Sequence, residues 1–372
     1  MTTYGEPVSD DLIGPDESCS TNEPLGVALA AIDSIDASPT EAWRLESTGV
    51  TRADVSELAS AGVLSAGVGE SMNAESMTAQ QVRQVHERLA AASGALWFVM
   101  AQHRSPTEAA RSTTVAALRE RYAAGLSTGE LLGAVSFAHL RRPRPTVIAT
   151  RVGDGWEISG RLDWITSWGL ADVLLLMAES TEGEVVQALL PAERRSGVSV
   201  GGELPLAAMR GTSTVSAVLE RLHVDDDEVA AVLPKTEWLA VDEHRTANAV
   251  AAVFGLARAA VNALADLAED RGWATASDAA ARIGAEVRDV RRQAYRLIDE
   301  VDPAEQLSER RALRVRSTAL ASTAVAALTV AQGGRSMLES SRESRWAREV
   351  QFALVQAQTH ATREAWLVDV CR

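Results

Sequence analysis

Residues 153–179 read GDGWEISGRLDWITSWGLADVLLLMAE, and within them Trp164 and Trp168 stand four residues apart with Thr166 and Ser167 between. Only 4% of the chain is aromatic. Two indoles beside two hydroxyls, just ahead of an apolar run, therefore raise the question of what they face. Counting narrows the other chemistries. The single lysine, Lys235, is the one candidate for Schiff-base catalysis, and nearly all cationic work falls to arginine. Cys19 and Cys371 lie near the two ends, which argues against a disulfide framework or a cysteine-based metal site and fits a reducing cytoplasm. No Gly-rich dinucleotide fingerprint or P-loop lies between a strand and a helix, and neither a Gly-x-Ser-x-Gly elbow nor a His-Glu-x-x-His zinc helix occurs. AGVGES at Ala66–Ser71 is too slight to count as a nucleotide loop.

The elements that would position these residues follow from periodicity. The 372 residues are 46% hydrophobic and 23% charged, enough for a large core in two or three lobes. Net charge is −15, which argues against nucleic acid as a partner, since its phosphates need basic surface. The run DVLLLMA is far short of the roughly 20 residues that span a bilayer. Residues 1–25 are acidic and polar and read as a loose arm without a signal peptide. Residues 26–132 are helical; in TAQQVRQVHERLAAASG, Thr78 is a cap, Val82, Val85, Leu89 and Ala92 share one face, and Gly94 follows. Residues 133–234 break into short apolar runs between Gly and Pro, which predicts an antiparallel sheet or small barrel. Residues 235–372 predict a four-helix bundle: Thr236–Asp270, Thr275–Val301, a helix opened by Pro303 and ending at Gly333-Gly334, and about Arg342–Asp369.

This α+β, mostly α, order of helices, β unit and bundle, taken with the opening stretch, resembles the acyl-CoA dehydrogenase superfamily. Members carry G-x-W-x-I-x-G-x-K-x-W-I-T-N-x-x-x-A-D. Here the segment runs from Gly155 through Trp164, Ile165, Thr166 and Ser167 to Ala171-Asp172, with Arg161 for the lysine and Ser167 for the asparagine. The resemblance implies that Trp164 packs on a flavin ring and that the Thr166 hydroxyl lies near flavin N5. A flat indole suits a flat isoalloxazine, and a hydroxyl can follow the hydrogen bonds of N5 as the flavin is reduced. Trp168 reads as a packing residue. LAAMRGTSTVSAVLERLHV resembles a segment lying near the flavin pyrophosphate, which points to Arg210, Gly211, Thr212, Ser213 and Thr214. Arg271 matches an arginine that contacts the flavin of a neighbouring subunit, although Gly272-Trp273-Ala274 replaces the usual continuation and the glutamine expected in the next helix is absent. Gly333-Gly334 and Arg345-Trp346-Ala347-Arg348-Glu349 resemble the G-G and R-x-x-R-D of the last hairpin. Gly94–His103 is a candidate substrate-facing helix, with His103 a core or rim histidine.

The chain departs from the pattern where proton chemistry would occur. The glutamate that removes an α-proton in most members falls, counting from Arg348-Glu349, on Ala357. Glu243, two residues from Arg245, is either an alternative base on the first bundle helix or a solvated charge. His360 is either a group that moves a proton in reduced-flavin chemistry with oxygen, since histidine titrates near neutrality, or an exposed helix residue. The family's acidic loop is replaced by Ser136–Pro145, SFAHLRRPRP, a cationic site for a CoA phosphate or a surface loop. The resemblance implies FAD. The leading expectation is a flavin-dependent oxidation of an acyl-CoA or acyl-carrier thioester by a homodimer or homotetramer. One alternative is a two-component monooxygenase using reduced FAD or FMN supplied by a reductase; another is a non-catalytic subunit paired with a homologous partner.

Overall fold

The structure is a computed structural model that describes Ile13, residues 22–66 and residues 77–370. Both cysteines and most of AGVGES lie outside the described residues. Six helices come first: α1 (Glu23–Asp36), α2 (Pro39–Ser47), α3 (Arg52–Ser60), α4 (Ala79–Ala92), α5 (Gly94–Ser112) and α6 (Ala116–Thr128). Asn22 caps α1, so the helix begins inside the stretch read as a loose arm. Thr78 caps α4 in a reciprocal box with Gln81, and Val82, Val85, Leu89 and Ala92 are all buried. Ser93 ends α4, and its hydroxyl accepts from Leu96 N to start α5.

Eight strands follow: β1 (Gly133–Ser136), β2 (Val147–Val152), β3 (Gly155–Ile165), β4 (Val173–Ser180), β5 (Glu184–Pro191), β6 (Val198–Glu203), β7 (Val215–Asp225) and β8 (Val229–Pro234). They form one sheet in the order β6-β7-β3-β2-β4-β5-β8, with β1 beside β4. The sheet is mixed rather than purely antiparallel, because β1 and β2 each pair in parallel with a different part of β4. The signal was in β4 itself, whose unbroken VLLLMA run is buried on both faces. Leu174, Leu176 and Ala178 join the core under α4 and α5, while Val173, Leu175 and Met177 pack with Leu118, Tyr122 and Leu126 of α6.

The C-terminal part comprises α7 (Lys235–Ala247), α8 (Ala251–Asp270), α9 (Ala274–Glu300), α10 (Leu307–Gln332), α11 (Arg342–Ala353) and α12 (His360–Val370). Two of the expected long helices are broken. Asn248 ends α7: its Nδ2 donates to the His244 carbonyl and its Oδ1 accepts from Arg310 Nη1, so the side chain takes over the helix's next hydrogen bond. Residues 354–359 separate α11 from α12, with Ala357 in the left-handed region at φ 49°. Pro303 does not open α10. It follows Asp302 in a turn closed by Glu305 N to Asp302 O at 2.9 Å, where proline suits the second position. Arg310 organises that turn, donating to the carbonyls of Leu297, Val301, Asp302 and Glu305.

The Ala-rich helices approach closely. A Cβ on Gly255 of α8 would lie 2.0 Å from the Glu87 carbonyl oxygen of α4. Lys235–Asp270 is long and apolar enough to cross a membrane by length and composition, and most of its apolar window is buried within the fold.

Candidate functional site

Two bulges aim the end of β3. Gly160 has φ 143°, and a Cβ there would sit 2.2 Å from the Thr146 carbonyl oxygen, so only glycine fits this irregularity. Between Leu162 and Ile165 the register against β7 slips again, so that Asp163 and Trp164 oppose Ser216 alone. A bulge bends its strand and re-aims a side chain. Trp164 is 51% exposed, although its neighbours Ile165 and Thr166 are buried. Ser136, at the end of β1, donates its hydroxyl to the Trp164 carbonyl at 3.2 Å and fixes the backbone there. Ser167 adopts the left-handed conformation at φ 66°. Asparagine accepts that conformation more readily than serine, which gives a backbone reason for the residue it replaces. Trp168 is half-buried against the main core, in keeping with packing.

Residues 209–214 behave differently from expectation. Gly211 does not offer a phosphate cradle; a Cβ there would sit 1.8 Å from the Leu45 carbonyl oxygen, and its own carbonyl accepts from Val50 N. The turn is thus sealed against α2. Its backbone is zipped to the turn after β3, with Ser167 N donating to Thr212 O and Trp168 N to Ser213 O. Thr212 Oγ1 donates to the Met209 carbonyl at 2.7 Å and lies 2.8 Å from Thr214 Oγ1, which lies 3.2 Å from Thr166 Oγ1. All three threonines are buried. Their hydroxyls are linked to one another and, through Thr212, to the Met209 carbonyl. Arg210 ion-pairs with Glu339.

Of the remaining candidates, the Ser136–Pro145 loop touches the Trp164 segment, through Ser136 and through Arg142 with Asp163. Arg271 donates to the Ala331 carbonyl and to Gln332 Oε1, which brings it to the end of α10 beside Gly333 and Gly334. These three come together with one another, at the end of the bundle. Glu243 is not placed as a base, because its carboxylate faces outward and pairs with Arg311. The residue that α7 turns inward is Asp242, held bidentate by Arg141 at 2.7 Å in both bonds. His360 is exposed at the start of α12. In the Ser136–Pro145 loop Arg141 is tied to Asp242, Arg142 to Asp163 and His139 Nε2 to the Met177 carbonyl, while Arg144 is exposed. His103 is a core residue, donating from Nε2 to Leu126 O and accepting at Nδ1 from Gly133 N; burial lowers its pKa to about 4 and keeps it neutral. Lys235 pairs with Glu179.

Sequence reasoning passed over the acids beneath this face. Met209, Trp97, Val253, Leu256 and Phe352 line an apolar slot of about 10 Å³, room for little more than one water. Glu349 is the one ionisable residue among those lining it. Its Oε1 accepts from Gly94 N at 3.1 Å and from Arg345 at 3.0 Å, and burial raises its pKa. A side chain at position 94 would collide with it, since a Cβ would stand 2.6 Å from Oε1. Glu46 of α2 lies behind, with burial and the charge of Glu349 lifting its pKa to about 7. A larger cavity of about 220 Å³, lined by Arg88, Arg258, Arg342, Trp43 and Trp346 among others, shares Arg345 with this acidic group but none of the Thr166 chain.

No family model matches the chain. A probable acyl-CoA dehydrogenase of Bacillus subtilis is 23% identical over 128 residues, which is 33% of this chain and only 21% of that relative. Solved structures match nearly end to end. Butyryl-CoA dehydrogenase from Megasphaera elsdenii superposes with a TM-score of 0.74 at 14% identity, covering 95% of this chain and 100% of its own. Glutaryl-CoA dehydrogenase from Mycobacterium smegmatis, in complex with FADH2, gives 0.75 at 16% identity, covering 94% and 95%. The resemblance read from the sequence is borne out at the level of architecture: this chain has the acyl-CoA dehydrogenase fold.

Proposed function

We propose that the chain is a flavin-dependent oxidoreductase whose isoalloxazine ring lies on Trp164 with its N5 edge at Thr166. The carrying observation is the bulge that turns one large indole to solvent directly beside a buried, fully ordered hydroxyl. The donor set fits the ring end of a flavin: a flat apolar face to cover, and a hydroxyl at its edge. The hydroxyls of Thr212 and Thr214 are bonded within the protein, while Ser213 and the partly exposed Arg210 are the side chains of residues 210–214 left to meet the rest of an FAD or FMN. The bound flavin would supply two-electron chemistry; the protein supplies the stacking surface, the ordered hydroxyl and the dry slot behind it.

Within this class, α,β-desaturation of an acyl thioester needs a carboxylate within reach of the α-proton. Ala357 and the outward Glu243 do not provide one, and Glu349, buried at a slot with room for about one water and held by Gly94 N and Arg345, is closed to a substrate. A second reading, a monooxygenase that takes reduced flavin from a reductase, is favoured by the closed slot and by the hydroxyl chain. Trp273, Val330, Met337 and Leu338, all exposed, lie in the last turn of α10 and in the connections at the bundle end that holds Arg271 and Gly333. They favour assembly with a second copy, as a homodimer or homotetramer.

The test is a flavin titration of the purified protein, followed by absorbance and indole fluorescence, against Trp164→Ala. Loss of at least tenfold in affinity is expected. Unchanged affinity would remove the ring from this face. If desaturation is the reaction, acyl-CoA should bleach the bound flavin; a flavin that acyl-CoA leaves unbleached would count against it.

A further inference from the structure

The three buried threonines form a chain of hydroxyls whose direction is fixed by its end. A hydroxyl has one hydrogen to donate and two lone pairs to accept with. Thr212 spends its hydrogen on the Met209 carbonyl, which can only accept. The 2.8 Å contact with Thr214 is therefore donated by Thr214, and the 3.2 Å contact beyond it is donated by Thr166. Each step removes the hydrogen that would otherwise reverse the next. The chain ends on a backbone carbonyl and not on an acid or imidazole, so no change of pH turns it round. Thr166 is left with lone pairs alone for anything that approaches its oxygen.

We infer that Thr212 and Thr214 act as positioning residues that make this site select reduced flavin over oxidised flavin. The inference rests on the ring placement proposed above. Oxidised isoalloxazine presents an unprotonated N5, a hydrogen-bond acceptor. Two-electron reduction puts a hydrogen on N5 and makes it a donor. An acceptor-only hydroxyl at that edge pairs with the reduced ring and opposes lone pair to lone pair with the oxidised one. One hydrogen bond made in one state and refused in the other corresponds to about five- to tenfold in relative affinity. For a two-electron couple, tenfold tighter binding of the reduced form is a midpoint potential about 30 mV above that of free flavin.

The experiment is anaerobic titration of the full chain with oxidised and with dithionite-reduced FAD and FMN, together with the midpoint potential of the bound flavin. The wild type should bind the reduced form about five- to tenfold more tightly. Thr166→Val should bring the ratio back near one. Thr212→Val removes the hydroxyl that captures the hydrogen of Thr214, which frees Thr166 to donate, so the ratio should fall to one or invert. Thr212→Ser, which keeps the hydroxyl, should restore the wild-type ratio; this pair separates the hydrogen-bond direction from a packing defect at a fully buried position. Equal affinities in the wild type, tighter binding of oxidised flavin, or a ratio that Thr166→Val does not change would overturn the inference while leaving the ring placement intact. Failure of both redox states to bind, or binding that Trp164→Ala does not weaken, would instead overturn the ring placement and the inference with it.

Discussion

Glu46→Gln should stabilise the folded chain at pH 8 and leave it nearly unchanged at pH 5. Glu46 is 3% exposed, and its carboxylate has no close hydrogen-bond donor, the Arg210 backbone N–H exerting only the weakest of the pulls on it. Its nearest cation, Arg348, stands 3.8 Å away. Burial first, and then the charge of Glu349, lift its pKa from 4.5 to about 7 against the opposing pull of Arg348 and Arg345. The folded state holds this proton more tightly than the unfolded chain does. Between pH 4.5 and about 7 unfolding therefore releases a proton, and stability falls as pH rises through that window. Above it the full penalty is present. A step from 4.5 to about 7, at roughly 1.4 kcal/mol per tenfold in proton affinity, is about 3 kcal/mol. Glutamine keeps the shape, carries no charge and offers an amide hydrogen towards Glu349. Thermal and urea unfolding of wild type and variant, compared at pH 5 and pH 8 at one ionic strength, read the difference directly. A variant less stable than the wild type by the same margin at both pH values would refute the reasoning. It would mean that Glu46 and Arg348 form a net stabilising ion pair, as some buried pairs do when one partner is removed.

Gly255→Ala should destabilise by about 2 kcal/mol or more. The gain of about 1 kcal/mol in helix propensity is outweighed by a methyl placed against the Glu87 carbonyl at 2.0 Å, which forces α4 and α8 apart; an unchanged or raised melting temperature would count against that crossing. Glu243→Gln and His360→Ala should each leave flavin binding and turnover within about twofold, because one side chain is paired with Arg311 and the other faces solvent. A tenfold loss of turnover in either variant would reinstate that residue in proton transfer.

Much of this architecture was legible because its signals are local. The capping box at Thr78, the buried stripe of α4 and the glycines that punctuate the strands each depend on neighbours within a few residues. The failures have a common cause in side-chain partners that local periodicity does not show, some near and some far along the chain. The α7–α8 break is made by Asn248 with Arg310, 62 residues away. Without that guanidinium, Ala247 to Ala251 reads as uninterrupted helix. Pro303 fits the first turn of a helix as well as the second position of a turn, and Arg310 gathering four carbonyls decides between them. Parallel pairing of β1 with β4 is invisible to alternation, since a strand buried on both faces has none.

The site divides along the same line. Trp164 could be found from its motif, but the reason it is available to a ligand is a slip of register against β7, about fifty residues later. Residues 210–214 have the types expected of an anion cradle, hydroxyls and a glycine. What they do is set by Leu45, which fills the space in front of Gly211, and by the Met209 carbonyl, to which the hydroxyls of Thr212, Thr214 and Thr166 are chained. The acid is the sharpest case. Counting along α11 and α12 to Ala357 finds an alanine at a left-handed turn and suggests that no carboxylate remains. Yet Glu349, eight residues earlier, stands at the apolar slot, because Gly94, 255 residues away, leaves room for it and donates to it. Spacing within one helix predicts which residues share a face. Which of them is buried, and against what, is decided by the helix that comes to lie across it, and here that is α5 beginning at a glycine.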